Sequence, residues 1–384
     1  LEILFVKKPV IVDARVLAGS GGGPDKTLIN SPPYLERAGY QMYCVYLHHP
    51  EDTGFQSLQK KAAAKGVELL SVPDFGAADW RVLPRLVKLC RELRADVWHG
   101  HDYKTNTLGL ILKRLLPIRL VTTLHGWVHQ TSKTPLYYFL DRLSLRFYEK
   151  VFSVSIDLDQ AASRAGVPKS RRVLLENGIN LKEFQRRQSA TQARQSLGFP
   201  ERLTIGAAGR LSAEKGFDRL IQACSDLVRR GHDVQLLIAG EGEEHTRLAE
   251  LIHTLGHTDR FHLLGYRSDL RQIYEAMDIY ALSSYREGLP NVLLEAMALE
   301  IPVVATAVNG VPHLLDYGEA GILVPAGDTY ELRKGLEFLL QNPHYAEHLK
   351  QRGLQTIRTR YDFELRMKKL VDVYEEMGLR RGDH

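Results

Sequence analysis

The sequence predicts an α/β protein built on two doubly wound parallel sheets. Three observations carry that reading. Short β-branched runs alternate with longer segments of helical periodicity along the whole chain, the βαβ pattern. The short runs are apolar almost without interruption, as strands buried on both faces require. They fall into two sets that separate near Asn177, and 384 residues suffice for two or three domains.

The elements follow in order. VIVDAR, QMYCVYL, DVWHGH, RLVTTLH and KVFSVS read as strands of the first set; TIGAAGR, VQLLIAGEG, FHLLG, IYALSS and PVVAT read as strands of the second. Helices are read over Leu83–Leu93 and Phe217–Arg229. The result is two Rossmann-like domains, residues 1–180 and 181–360, with the polar, basic segment Asn180–Ser196 as their connection. In residues 361–384 a last helix carries Phe363, Met367, Leu370, Val371, Tyr374 and Met377 at helical spacing. That spacing leaves open which domain it packs on. Leu136–Lys150 has the spacing of an amphipathic helix, with Arg142, Arg146 and Lys150, and suits a domain face or a membrane surface.

Apolar residues at 44% and charged residues at 25% exclude disorder, collagen and coiled coil. The net charge of +5 is too small to argue for nucleic acid. It is unevenly spread: residues 1–180 hold 25 basic and 17 acidic side chains, residues 181–384 hold 26 and 29. Such asymmetry suits different partners for the two halves. Three well-separated cysteines, Cys44, Cys90 and Cys224, fit a reducing compartment without structural zinc. No apolar run reaches the ~18 residues of a membrane span. The opening LEILFVKKPVIV reads as a strand, not a signal peptide. The expected location is cytoplasmic, with peripheral contact at the inner membrane face left open.

Four constellations carry chemistry. Gly19–Thr27 places glycines between a strand and a helix, where backbone can approach an anion. Asp25 sits where a Walker loop needs glycine, and Pro24 replaces the last glycine of a dinucleotide fingerprint, so both readings weaken beside that of a flexible turn. In Gly209–Gly216, Arg210 and Lys215 flank a short loop, and two cations suit a diphosphate. An ordinary surface loop with Glu–Lys pairing is the alternative. In Tyr285–Ala296, Glu287 precedes a helix start and Glu295 lies one turn inside it, where it suits a ribose diol or merely the helix dipole. Backbone N–H groups around Leu289 to Val292 would face an anion. Finally, His125 ends the strand RLVTTLH, where ligands of parallel sheets bind; a buried structural histidine is the alternative.

Two further motifs lead elsewhere. His99 and His101, with Asp102 and His125 near, invite a metal reading, but no helical histidine pair joins them and no metal is assigned. Asp157 and Asp159 form a DxD triplet that reads as acids in a first helical turn.

Together these motifs resemble family 4 of the retaining glycosyltransferases, over nearly the whole chain. The matching pieces are GGGPDKT, DVWHGHDYKTNTLG, SVSIDLDQAASRAGVP with ENGINLKEF, GRLSAEKGFDRLIQA, LLGYRSDL and EGLPNVLLEAMALEIPVVAT. The resemblance implies a GT-B fold, two Rossmann-like domains facing across a cleft, with the C-terminal helix crossing back to the first. It implies a nucleotide-diphospho-sugar donor, UDP- or GDP-linked, and a hydroxyl acceptor, a sugar or lipid-linked sugar, in polysaccharide, lipopolysaccharide or glycolipid synthesis. Catalytic roles fall to His125, Glu287, Arg210 and Lys215. Donor binding falls to Gly22, Gly23, Gly240, Tyr266, Arg267, Gly288, Leu289, Pro290, Asn291 and Glu295, and acceptor binding to Asp102, Tyr103 and Lys104. The family transfers with retention and without a catalytic metal or other cofactor. A sugar-nucleotide 2-epimerase or a non-catalytic binding protein of the same fold are the alternatives. The basic excess of the first half points to an anionic acceptor or membrane.

Overall fold

The computed structural model describes residues 7–17, 22–76, 79–125, 141–267 and 269–379. The chain forms two compact units: one runs to Asn177 and resumes at Glu364, and the other is Gly178–Phe363. The boundary thus falls after Asn177, rather than Asn180, and the return at Glu364.

The first unit holds β1 (Val10–Val16), β2 (Gln41–His48), β3 (Leu69–Pro73), β4 (Val97–Gly100), β5 (Arg119–Leu124), β6 (Lys150–Ser153) and β7 (Arg172–Leu174). They pair in parallel in the order β3-β2-β1-β4-β5-β6-β7. The second unit holds β8 (Leu203–Ala208), β9 (Val234–Ala239), β10 (Phe261–Leu263), β11 (Ile279–Leu282), β12 (Val303–Thr306) and β13 (Ile322–Val324), also parallel, in the order β10-β9-β8-β11-β12-β13. Both sheets are covered on two faces, which is why their strands are apolar throughout. In the second unit Ile205, Leu236 and Ile279 pack on one side and Tyr280, Leu293 and Met277 on the other. Strand order reverses between β1 and β4 and between β8 and β11. At such switch points the loops leaving the carboxyl ends diverge and open a crevice.

Three sequence expectations change. Asn180–Ser196 is not a connection: Leu181 and Phe184 pack on the second core. Buried Arg194, in the helix Ala190–Leu197, pairs with Glu201 at 2.5 Å and Asp278 at 2.8 Å. The helix read over Leu136–Lys150 lies partly outside the described residues; residues 141–144 are helical as read, and a 3₁₀ turn, Leu145–Phe147, ends it before Lys150 opens β6. The strands β3, β7 and β13 had no counterpart in the sequence reading.

The helix Phe363–Glu376 buries all six apolar residues read from its spacing. It belongs to the first unit from Glu364 onward. There Tyr40 donates its phenol proton to the Leu379 carbonyl, and the Tyr40 and Tyr374 rings lie 5.8 Å apart. The helix also brings buried Arg366 and Tyr374 to a polar layer on the sheet. Asp13 of β1 and His99 of β4 lie there, with the Tyr374 hydroxyl 3.3 Å from His99 Nδ1. His99 Nδ1 is 3.4 Å from Asp13 Oδ2.

Burial decides the charge states of this layer. His99 and His101 are each pushed down to about 3, so both are neutral near pH 7. Burial pushes Asp13 up to about 6, against the pull of His99, Arg366 and Arg15. A histidine folded neutral contributes stability that is whole above pH 6.5 and is lost as pH falls towards 3. Asp13 works in the opposite sense between 3.8 and about 6, and offsets only one of the two. Trp80, Trp98 and Trp127 all precede Asn177, so tryptophan emission follows this unit. Its melting temperature should fall between about pH 6.5 and 4.5. A value that holds or rises across that range would contradict neutral buried histidines.

A second constraint is steric. Gly240 has φ +147, and a Cβ there would lie 1.8 Å from the Gly209 carbonyl oxygen. The loops after β8 and β9 can lie this close only because Gly240 lacks a side chain. Gly240→Ala should lower the second unit's melting temperature in calorimetry by roughly 5 °C or more; an unchanged transition would show that the loops have room.

Candidate active site

In the second unit, five loops leave carboxyl strand ends and are tied to one another around the switch point. Gly209–Gly216 follows β8. Its Leu211 N–H donates to the Glu241 carbonyl in the loop after β9, and Gly240 N–H donates to Gly265 after β10. Ser283, after β11, donates its hydroxyl to the Lys215 carbonyl at 2.9 Å, and Tyr285 N–H donates to Glu214. Thr306, ending β12, donates to the Ser284 carbonyl. Gly216 is left-handed at φ +61, and a Cβ there would meet the Ser283 oxygen at 2.4 Å. The glycine therefore sets how closely β8 and β11 loops approach.

These ties bring Lys215 and Glu287 together, with Nζ 2.8 Å from Oε1. The Glu287 carboxylate is only 7% exposed and also accepts the Ser284 hydroxyl at 2.6 Å. Its backbone N–H donates to Asn309 Oδ1, and Asn309 is held at φ +45 in the loop after β12. Arg210 is half-exposed on the same loop as Lys215 and pairs with Glu214 at 3.0 Å. Gly288, Leu289 and Pro290 lead into the helix Asn291–Ala298, whose start is capped by Pro290, a residue with no side-chain acceptor. That start offers partial positive charge on the crevice side.

The remaining predicted donor residues divide. Glu295 is fully buried inside that helix near the Tyr274 phenol, which donates to the Val292 carbonyl and whose pKa rises through burial and the Glu295 carboxylate. Tyr266 is about half-exposed beside Gly265. Arg267 is engaged bidentately by Asp269, at 2.8 and 2.6 Å.

In the first unit, Gly22 caps the helix Gly23–Asn30, and its N–H donates to Asp25 Oδ2 at 2.6 Å. Buried Asp25 is also 3.1 Å from Arg15 Nε, so the acid that spoils a Walker loop serves the fold. A Cβ on Gly22 would meet nothing nearer than 3.9 Å, so local packing does not demand this glycine. Gly19 and Gly21 lie outside the described residues, as do Gly126 and Trp127. Asp102 caps the helix Tyr103–Leu115, accepting from the Lys104 and Thr105 amides and from Val16 N–H. The Lys104 ammonium is buried between Asp74, at 2.5 Å, and the Gly76 carbonyl, at 2.6 Å. Both side chains therefore have structural work, and Tyr103 opens the helix. The DxD acids sit in the first turn of Ile156–Arg164, with Asp159 paired to Arg172 at 2.6 Å.

His125 follows β5, and its Nε2 is hydrogen-bonded to His101 Nδ1 at 2.8 Å. Burial, with the neighbouring His101, Arg15, Arg366 and His99, holds it well below its ordinary pKa. It is a neutral imidazole, suited to hydrogen bonding and not to carrying charge. Asp13, His99 and His101 bring one ligand atom each within 4.8 Å of one another. His99 Nε2 is bonded to Thr123 and His101 Nδ1 to His125, and the buried cation Arg366 lies close, an arrangement that fits a metal poorly.

Sequence reasoning missed Asp13, Ser284, Asn309 and Arg366. Asp13 had a signal, a lone acid in the apolar run VIVDAR, which a buried strand tolerates only with partners.

Comparisons with known proteins show the family. Residues 22–183 match the family model described as Glycosyltransferase Family 4, and residues 189–356 match Glycosyl transferases group 1. The phosphatidyl-myo-inositol mannosyltransferase of Mycobacterium leprae is 30% identical over 295 residues, 74% of each chain. The alpha-D-kanosaminyltransferase of Streptomyces kanamyceticus is 28% identical over 321 residues, 79% of this chain and 83% of that one. Among solved structures, Anabaena HepE in complex with UDP superposes with a TM-score of 0.81 at 21% identity, covering 96% of this chain and all of that one. The chain is a GT-B glycosyltransferase and belongs to family 4, the glycosyl transferases group 1.

Proposed function

We propose that the chain transfers a sugar from a nucleotide-diphospho-sugar to a hydroxyl acceptor, with retention of configuration and without a metal ion. UDP- and GDP-sugars are the first donors to test. One observation carries this reading. Lys215 and Arg210 follow β8 and the helix Asn291–Ala298 follows β11, the two strands that flank the switch point of the second sheet, where a diphosphate's charge can be met by fixed groups.

The roles follow from chemistry. Lys215 gives the diphosphate a point charge and Arg210 a fork of N–H donors. Glu287, oriented by Ser284 and Asn309, takes the donor sugar's hydroxyls. Gly288 through Asn291 line the phosphates; Glu295 serves the ribose, and Tyr266 and Arg267 the base. Gly22 and Gly23 are assigned to donor binding. His125 lies beside the transferred sugar, and acceptor contacts centre on the helix start at Tyr103. In a front-face transfer the bond from the sugar C1 to the phosphate oxygen breaks as the acceptor oxygen bonds C1 on the same face. The acceptor proton passes to the departing phosphate oxygen. Relatives acting on phosphatidyl-myo-inositol and the basic excess of residues 1–180 support an anionic glycolipid or polysaccharide acceptor. Among the described residues no helix is long and apolar enough to cross a membrane.

Binding and turnover should separate at the central pair. Lys215→Met should weaken UDP or GDP binding by about 10-fold or more in calorimetry. Glu287→Gln should hold nucleotide affinity within about 3-fold while turnover drops by roughly 100-fold. Undiminished affinity in the first variant, or wild-type turnover in the second, would remove the assignments.

A further inference from the structure

Three polar side chains from three neighbouring strands and the residues that follow them stand in file in the first unit. Asp13 lies on β1, His101 follows β4 and His125 follows β5. Asp13 Oδ1 is 2.6 Å from His101 Nε2, and His101 Nδ1 is hydrogen-bonded to His125 Nε2 at 2.8 Å. The His101 and His125 rings stack with centroids 5.1 Å apart and planes 21° from parallel. The Asp13 contact is off the axis of a well-formed hydrogen bond. Even so, two lone pairs at 2.6 Å would repel, so a proton lies between them.

A neutral imidazole has one N–H and one lone pair, so each link dictates the next. Arg15 and Arg366 face Asp13 and favour its carboxylate form. An ionised Asp13 can only accept, and therefore requires His101 to carry its proton on Nε2. His101 Nδ1 is then a lone pair, and the 2.8 Å bond requires His125 to donate from its own Nε2. His125 Nδ1 is left as an acceptor. His99 is consistent with the same polarity: its Nδ1 faces Asp13 Oδ2, and its Nε2 can accept from the Thr123 hydroxyl at 2.7 Å.

We propose that Asp13 is a positioning residue which, through His101, fixes His125 as a hydrogen-bond acceptor for a substrate hydroxyl. This rests on the reading that His125 lies beside the transferred sugar. It refines that reading: His125 takes a hydroxyl proton in a hydrogen bond and does not donate to the departing phosphate.

The test uses full-length protein labelled with ¹⁵N-histidine, with long-range ¹H–¹⁵N correlation near neutral pH and His125 assigned by its loss in His125→Gln. Wild type should show His125 protonated on Nε2 and bare on Nδ1. Asp13→Asn should move His125 towards the Nδ1–H form and lower kcat by roughly 10-fold or more, with donor KM within about 3-fold. If Asp13→Asn fails to fold, His101→Gln must give the same kcat loss at unchanged donor KM. A wild-type His125 protonated on Nδ1 would overturn the proposal, as would a folded Asp13→Asn with unaltered tautomer and kcat. Wild-type kcat in His125→Gln would remove instead the reading on which it rests, and leave the tautomer result standing.

Discussion

A buried carboxylate held against a lysine organises the second unit. Glu287 is largely withdrawn from water, and a charge so placed persists only with a partner and hydrogen bonds. Lys215 supplies the partner, Ser284 and Asn309 the hydrogen bonds, and the three come from loops after β8, β11 and β12. The backbone must accommodate this. Gly216 and Asn309 both take left-handed conformations, and Gly240 presses on Gly209 so that neighbouring loops can meet. The strain of these conformations is offset by the network they permit. In the proposed reaction the same pair divides its work, the ammonium facing phosphate and the carboxylate facing sugar.

The two units share strand order but not electrostatics. The second unit keeps its site ionic and partly exposed. The first buries Asp13, His99 and His101 beneath the helix Phe363–Glu376, and burial strips the histidines of charge. A neutral file of imidazoles can orient protons but cannot stabilise a phosphate. The return of the chain at Glu364 matters here, because Arg366 and Tyr374 complete the polar layer only from that helix.

Much of this was legible in the sequence. Near-continuous apolar runs gave ten strands, and helical spacing gave the six buried residues of the last helix. Arg210, Lys215 and Glu287 stood out because short loops with cations and a Gly-x-Pro break are poorly explained by packing alone. What escaped had physical reasons. Asn180–Ser196 looked like a linker because its arginines seemed solvated, whereas Arg194 and Arg186 find acids and carbonyls far along the chain. The resemblance assigns Asp102 and Lys104 to the acceptor, whereas the pairing of Lys104 with Asp74, far earlier in the chain, is made by the fold alone. Asp13 and Arg366 are separated by most of the sequence, and only the fold brings them together.

In the proposed reaction fixed cations of the second unit, and no metal, meet the donor diphosphate. A crystal structure of the full chain grown with UDP and excess Mn²⁺ tests it most directly, since manganese is visible by anomalous scattering. The account predicts the diphosphate against Lys215, Arg210 and the start of the helix Asn291–Ala298, with no anomalous peak between phosphate and protein. A manganese ion bridging the diphosphate to carboxylates, or a diphosphate bound away from Lys215, would contradict it.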